Sequence, residues 1–200
     1  MSFLLIQKLV HTANERKTNM EGHRSHNEER KDGSELVMVA SFLDRQKEGG
    51  VEGKLPAHLT YLPWFSIQPS RIGEFYELIQ EVTEQERAPV IRGTSTRLFN
   101  DKDGLIEVRH IDQWSKGFNM LQDHMAHNML LEFALLEENN GLDRRYTESA
   151  WSPHVTNTTE RSLMAGEDVE LDNLTVIKKV MGQKVIDRVF NWNNYPAAEV

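Results

Sequence analysis

The sequence predicts an α+β protein whose sheets are largely antiparallel. Two segments have the apolar spacing of helices, and several runs rich in β-branched and aromatic residues have the length of strands. The helices are interleaved with pairs of strand-like runs joined by turn residues, which favours antiparallel sheets. With 200 residues, of which 38% are hydrophobic, the chain is long enough for one domain with a buried core.

The first part of the chain contains a polar arm and two strands. Residues 1–35 are predicted to form a flexible N-terminal arm, because the stretch after residue 10 is rich in charged and polar side chains. The apolar run 36–43 predicts a buried strand, and the glycines of 44–54 predict a flexible loop. Residues 58–65 predict a second strand, in which Pro63 indicates an edge or a bend.

The middle of the chain predicts a helix followed by a hairpin. The helix should cover 70–86, with Ser70 as its cap. One apolar stripe recurs along it at helical spacing, formed by Ile72, Phe75, Tyr76, Ile79 and Val82. The runs 90–99 and 105–110 predict two strands, because the Asp-Lys-Asp-Gly sequence between them is typical of a turn.

The last part of the chain adds a helix, a strand and a second hairpin. The helix should end at an Asn-Asn-Gly sequence that favours termination. In order, the predicted elements are a helix at 113–138, a polar loop at 142–151, a strand at 154–159 and a hairpin of 169–180 with 184–190. Residues 192–200 predict an irregular C-terminal tail, so the folded domain should span 36–191.

Composition excludes several classes of protein. Without cysteine the chain has no disulfide, thiolate metal site or cysteine nucleophile, and a cytoplasmic setting is the simplest expectation. No apolar run approaches the ~20 residues that a membrane span needs, so no membrane partner is expected. A net charge of −8 disfavours a groove for extended nucleic acid. A nucleotide or an RNA end remains a suitable partner, and a monomer is expected.

Two short motifs carry the candidate chemistry. Each is His-x-Thr at the start of a predicted strand, with His58 and Thr60 in one copy and His154 and Thr156 in the other. Since side chains at i and i+2 of a strand share a face, each motif presents an imidazole and a hydroxyl together. A similar tripeptide at 23–25 lies in the polar arm and is expected by chance. On the tripeptides alone, two buried strand-end histidines without chemistry are an equally good interpretation.

In this element order the paired motifs resemble the two-histidine (2H) phosphoesterase superfamily, especially its bacterial 2′-5′ RNA ligase and 2′,3′-cyclic phosphodiesterase branch. Residues 58–65, His-Leu-Thr-Tyr-Leu-Pro-Trp-Phe, are similar to the first motif, and residues 151–156, Trp-Ser-Pro-His-Val-Thr, to the second. The resemblance covers about 36–191. It implies a duplicated two-lobed fold, with antiparallel sheets flanking a central cleft and helices packed outside. Asn157 departs from the apolar residue usual after the second motif.

The resemblance implies a metal-independent phosphodiesterase, without cofactor, that hydrolyses 2′,3′-cyclic phosphates of RNA ends or small nucleotides. Its catalytic residues would be His58, Thr60, His154 and Thr156. Two imidazoles with a pKa near ~6.5 suit the base that activates water and the acid that protonates the leaving oxygen. The two hydroxyls suit donation to the phosphoryl oxygens. The family pattern suggests that His154 activates water and His58 protonates the leaving oxygen.

Two alternatives remain open at this point. The same groups acting in reverse would join a 5′-hydroxyl to a cyclic phosphate, which is 2′-5′ RNA ligation. A non-catalytic module would hold a cyclic nucleotide or RNA end without turnover. The presence of both histidines and both threonines favours an enzyme.

Aromatic and basic residues near the motifs are further candidates. Tyr61, Trp64 and Trp151 are candidate substrate-binding residues, because an aromatic ring stacks on a nucleobase, although core packing is the commoner fate of such side chains. Arginines suit a phosphate as bidentate donors, and four lie on or near predicted strands: Arg92, Arg97, Arg109 and Arg161. For any single one, an ion pair or solvent is the simpler expectation.

The remaining histidines are predicted to be structural. His124 and His127 lie three positions apart on the predicted second helix, but a metal site would need further ligands in a defined geometry. His110 ends a predicted strand. No metal-binding residue is therefore expected.

Overall fold

The computed structural model of the protein describes residues 33–85, 88–101, 104–112, 120–137, 141–142 and 153–192. The predicted N-terminal arm lies outside these ranges except for residues 33–35. The predicted C-terminal tail lies outside them except for Trp192, and so does most of the predicted loop at 142–151.

Within these ranges the chain forms nine strands and two longer helices. The strands are β1 Glu35–Phe42, β2 Val51–Glu52, β3 His58–Ile67, β4 Val90–Asp101, β5 Gly104–Ile111, β6 His154–Thr156, β7 Asp168–Glu170, β8 Asn173–Val180 and β9 Gln183–Asn191. The helices are α1 Ile72–Gln85 and α2 Met120–Leu135. Neither helix is long and apolar enough to cross a membrane, within the part of the chain that the structure describes.

All nine strands join one sheet in the order β2-β9-β8-β1-β3-β6-β5-β4-β7, and every pairing is antiparallel. The predicted α+β class with antiparallel strands is thus confirmed. The sheet has two halves: five strands from β2 to β3, and four strands from β6 to β7. Each half contributes the strand that carries one His-x-Thr motif, and these two strands are the neighbours at which the halves meet.

The two faces of the sheet are covered differently. Alternate residues of β1 point to opposite faces, so Val37 and Val39 join the main core while Met38 and Ala40 join a smaller apolar cluster. Both helices pack on the main-core face, where they bury Phe75, Ile79 and Val82 of α1 and Leu130, Leu131, Phe133 and Ala134 of α2. The opposite face carries the smaller cluster, and polar side chains of the strands also project from it.

The start of α1 differs from the prediction. A 3-10 turn, Pro69–Arg71, precedes the helix, and Ser70 lies inside that turn, so its predicted role as cap is wrong. The backbone N–H of Gln68 donates instead to Glu137, 3.0 Å away, near the end of α2. This tertiary contact satisfies the N–H of Gln68, which in a capping box is satisfied by a side chain within the first turn.

The predicted strand 169–180 is also wrong as a single element. It is interrupted at residues 171–172, so that β7 pairs with β4 and β8 pairs with β1. Leu171 is fully buried, and its N–H donates to the carbonyl oxygen of Pro89 at 2.9 Å. The chain changes its pairing partner at this buried residue. It therefore forms two strands, β7 and β8, where the apolar run predicted one.

A close backbone contact near β4 gives a test of the fold. A Cβ atom at Gly93 would overlap the carbonyl oxygen of Met164, whereas a Cβ at Gly73 in α1 would meet nothing within 4 Å. We expect Gly93→Ala to destabilise the protein by about 1–3 kcal/mol, because backbone must move to relieve the overlap. Gly73→Ala is the matched control and should be neutral or stabilise by up to about 1 kcal/mol. Urea unfolding of both variants measures the difference, and equal stabilities would contradict the packing described for Gly93.

Candidate active site

The two motifs meet where the halves of the sheet join. β3 and β6 run antiparallel, with His58 opposite Thr156 and Leu59 opposite Val155. Residues directly opposite each other on neighbouring strands point to the same face, and i and i+2 share that face. Both motifs therefore present their imidazoles and hydroxyls on one face of the sheet.

Each histidine lies across from the threonine of the other motif. His58 is opposite Thr156, and the same register continued by one residue sets Thr60 opposite His154. Opposite Cβ atoms lie about 4.5–5.5 Å apart, and residues i and i+2 lie about 6–7 Å apart along a strand. The Cβ atoms of the four motif residues thus lie at the corners of a small quadrilateral. This arrangement suits a tetrahedral anion with an imidazole on two sides.

The spacer residues hold this arrangement from the opposite face. Leu59 and Val155 point into the main core and are fully buried. On the same side, the Nδ1–H of His127 in α2 donates to the carbonyl oxygen of Tyr61 at 2.7 Å. The core and this helix therefore fix the backbone from which the motif side chains project, and His127 has the structural role predicted for it.

His58 is the buried histidine of the pair. Only 8% of the residue is exposed, and its ring centroid lies 5.8 Å from that of Phe42, its neighbour on β1. Burial is the main reason that the pKa of His58 is lowered to about 4. The hydrogen bond to Pro56 opposes this shift, and the positive charges of His154 and Lys184 add to it. His58 is therefore neutral near pH 7.

The tautomer of His58 is fixed by its backbone contact. Nδ1 lies 2.7 Å from the carbonyl oxygen of Pro56. Because a carbonyl oxygen only accepts, Nδ1 carries the proton, and Nε2 of the neutral ring has the basic lone pair. His58 is thus prepared to accept a proton at Nε2.

His154 has a more open environment, framed by the hairpin of β4 and β5. It is partly exposed, and its ring stacks on Phe99 with centroids 5.3 Å apart and an interplanar angle of 15°. His110 lies directly opposite His154 on β5, with ring centroids 6.3 Å apart. Burial lowers the pKa of His110, and the charges of Arg97 and His154 lower it further.

From the sequence, His110 is predicted to have a structural role, and no pattern indicates that Phe99 lies near the site. In the structure both lie against His154. The pairing of β5 with β6 sets His110 opposite this histidine, and Phe99, on the neighbouring strand β4, stacks on its ring. A histidine at the end of a predicted strand was the available signal for His110. That signal becomes specific only when the partner of the strand is known.

Positive charges lie on both sides of the motif histidines. On one side, Arg97 is opposite Val108, which is itself opposite Thr156, so Arg97 shares the motif face. On the other side, Lys184 acts electrostatically on His58. In a chain with a net charge of −8, this local arrangement favours an anionic ligand.

The other candidate arginines are engaged elsewhere. Arg92 and Arg161 form ion pairs with nearby carboxylates at 2.6 and 2.7 Å. Arg109 donates to two backbone carbonyl oxygens and is opposite Val155, which places it on the other face. Of the four candidates, the structure places Arg97 on the motif face beside the site.

The candidate aromatic residues separate into three cases. Tyr61 is fully buried in the main core on the opposite face, so its predicted contact with a substrate is corrected to a core role. Trp64 is partly buried against the smaller apolar cluster, and its contact with a substrate stays a prediction. Trp151 lies outside the described residues.

Asn157 explains the early end of β6. Its Nδ2 donates to Glu107 at 3.0 Å, and its Oδ1 accepts the backbone N–H of Leu163 at 3.0 Å. These bonds direct the chain into a loop, so β6 has three residues where 154–159 was predicted. The polar residue that departs from the family pattern thus fixes the end of the second motif.

No metal cluster is found where side chains are described. Within those ranges, no group of three or more His, Asp or Glu side chains is arranged to hold a metal ion. His124 lies in α2, but its side chain is outside the described part of the structure.

Fold and site together define an antiparallel α+β protein in which two His-x-Thr motifs meet on adjacent strands. The chain matches no family model and no curated protein. Similar solved structures include TT0787 of Thermus thermophilus, which is 15% identical with a TM-score of 0.47 over 78% of this chain and 97% of the other. E. coli LigT complexed with phosphate is 10% identical, with a TM-score of 0.45 over 80% of this chain and 99% of LigT.

The lowered pKa of His58 predicts a loss of stability in mild acid. The unfolded chain has the ordinary histidine pKa of 6.5, whereas the folded chain has about 4, so between these values the unfolded state binds more protons. The stabilising contribution is full above about pH 6.5 and falls towards pH 4, by about 3 kcal/mol at most. His58→Gln should show a weaker pH dependence in urea unfolding. The same acid sensitivity in both proteins would show that His58 is not held neutral by the fold.

Proposed function

We propose that the chain is a two-histidine phosphoesterase that hydrolyses 2′,3′-cyclic phosphates of RNA ends or small nucleotides without a metal ion. The observation that supports this most directly is the crosswise pairing at the strand junction, with His58 opposite Thr156. Two imidazoles and two hydroxyls share one face of the sheet in this register, and the usual spacing of about 4.5–5.5 Å between opposite Cβ atoms suits joint contact with one phosphate. The proposal assigns catalysis to His58, Thr60, His154 and Thr156.

In the proposed reaction the two imidazoles have different roles. Nε2 of neutral His58 accepts a proton from water as the water oxygen bonds to phosphorus. The bond from phosphorus to one ribose oxygen breaks, and protonated His154 gives its proton to that oxygen. The low pKa of His58 supports this direction, which is the reverse of the roles that the family pattern suggested.

The hydroxyls and nearby cations stabilise the charge that develops at phosphorus. The Thr60 and Thr156 hydroxyls donate hydrogen bonds to the equatorial oxygens as negative charge increases there. Arg97 and Lys184, on either side of the histidines, attract the anion before the reaction. These groups supply acid, base and charge stabilisation from the chain itself.

The proposed substrate is small or terminal. The net charge of −8 is unsuited to a long phosphate backbone, so we propose a nucleotide or an RNA terminus with a cyclic phosphate as partner. The proposal includes a monomer in the cytoplasm, without a membrane partner.

The activity is tested with the four 2′,3′-cyclic nucleoside monophosphates in the presence of EDTA. Hydrolysis that EDTA leaves unchanged is expected, with a nucleoside monophosphate as product. Joining of a 5′-hydroxyl RNA to a cyclic-phosphate end would identify the same site as a ligase. Binding without product, or inhibition by EDTA, would contradict the proposal.

Substitution of either motif histidine should remove activity without unfolding the protein. We expect His58→Ala and His154→Ala each to lower kcat by about 10²–10⁴-fold, because each removes one proton transfer. Thr60→Val and Thr156→Val should lower kcat by about 10²-fold, because each removes one donor to the phosphoryl oxygens.

The control for these four variants is Arg109→Gln, which changes a strand arginine on the opposite face. It should retain wild-type kcat. Circular dichroism and thermal unfolding establish that each variant is folded. A folded histidine variant with wild-type turnover would exclude that histidine from catalysis.

A further inference from the structure

A third histidine lies beside the motif pair. His110 is directly opposite His154, so both imidazoles project from the same face, and their ring planes are tilted by 54°. Nε2 of His110 is buried and has no hydrogen-bond partner within the described part of the chain. Buried polar atoms in proteins are nearly always paired, so an unpaired nitrogen at this place calls for an explanation.

We propose that His110 is a positioning residue for His154, whose ring N–H donates a hydrogen bond to Nε2 of His110 when the site is engaged. This bond selects one tautomer of His154 and directs its other nitrogen to the substrate. The proposal rests on the phosphoesterase function proposed above and assigns to it a residue outside the two motifs.

The rings of His110 and His154 are slightly too far apart for a direct hydrogen bond. The ring centroids are 6.3 Å apart, whereas a direct hydrogen bond between two imidazoles brings their centroids to about 5 Å. A small rotation of either side chain closes this gap. Phe99 stacks on one face of His154, so the ring edges remain for contacts with His110 and with the substrate.

The charge state of His110 suits an acceptor. Nε2 accepts only while the ring is neutral, and burial favours the neutral ring by lowering the pKa of His110. Arg97 on β4 and His154 on β6 are the charged groups that act on it, and both lower that pKa further. His110 therefore stays neutral when His154 carries the proton that it transfers.

A neutral imidazole has an advantage over a carboxylate in this position. In many sites an acidic side chain orients the catalytic histidine. Next to a phosphodiester, however, a carboxylate would add a negative charge that repels the substrate. His110 provides an acceptor without that charge.

The first test is kinetic and uses 2′,3′-cyclic nucleoside monophosphates. His110→Phe keeps a planar ring but removes the acceptor, and should lower kcat by about 10- to 100-fold with KM within about twofold. His110→Gln retains an acceptor oxygen and should recover part of kcat. The control is Thr94→Val, which removes a hydrogen bond to the backbone oxygen of His110 and leaves the imidazole in place; its kcat should match that of wild type.

The second test does not depend on turnover. Nitrogen-15 NMR of the wild-type protein with inorganic phosphate, at a pH high enough for the His154 ring to be neutral, should show His154 mainly in one tautomer, and His110→Phe or His110→Gln should show a different tautomer ratio. Unchanged tautomers together with unchanged kcat in a folded variant would overturn the proposal. If wild type hydrolyses no cyclic nucleotide but the tautomer ratio depends on His110, the proposed function fails while the interaction between the histidines stands.

Discussion

The antiparallel pairing of β3 with β6 is the constraint on which the rest of the site depends. The register sets His58 opposite Thr156, and the alternation of strand residues then fixes which face receives every motif side chain. A shift of the register by one residue would turn the imidazole and the hydroxyl of one strand into the core. The fully buried spacers, Leu59 and Val155, oppose such a shift, because it would bring them out of the core into water.

The two histidines become different through their surroundings. The motifs are alike in sequence, but Phe42 on β1 packs beside His58, whereas the hairpin of β4 and β5 covers His154 less completely. Desolvation removes the charge of the more buried imidazole at neutral pH, and a hydrogen bond from its Nδ1 to a backbone oxygen fixes the position of its lone pair. Two motifs of equivalent sequence thus present imidazoles in unequal environments.

The hairpin of β4 and β5 supplies the side chains that surround the second motif histidine, His154. Its role follows from topology, because β5 is the other neighbour of β6 and places His110 opposite His154. Phe99 and Arg97 belong to the same hairpin and share its site-facing side. The positions of Arg97, Phe99 and His110 beside the motifs therefore depend on the pairing of β5 with β6. These two strands are more than 40 residues apart in the chain.

Local patterns along the chain were enough to predict the two His-x-Thr motifs, the apolar stripe of α1 and the hairpin between β4 and β5. These follow from short-range periodicity and turn chemistry, which a single sequence contains. Three other features follow from packing between distant segments: Tyr61 is buried in the core, Ser70 is not the cap of α1, and His110 lies beside His154. Each of these depends on which distant segment packs against the residue, and residue spacing along the chain does not encode that partner.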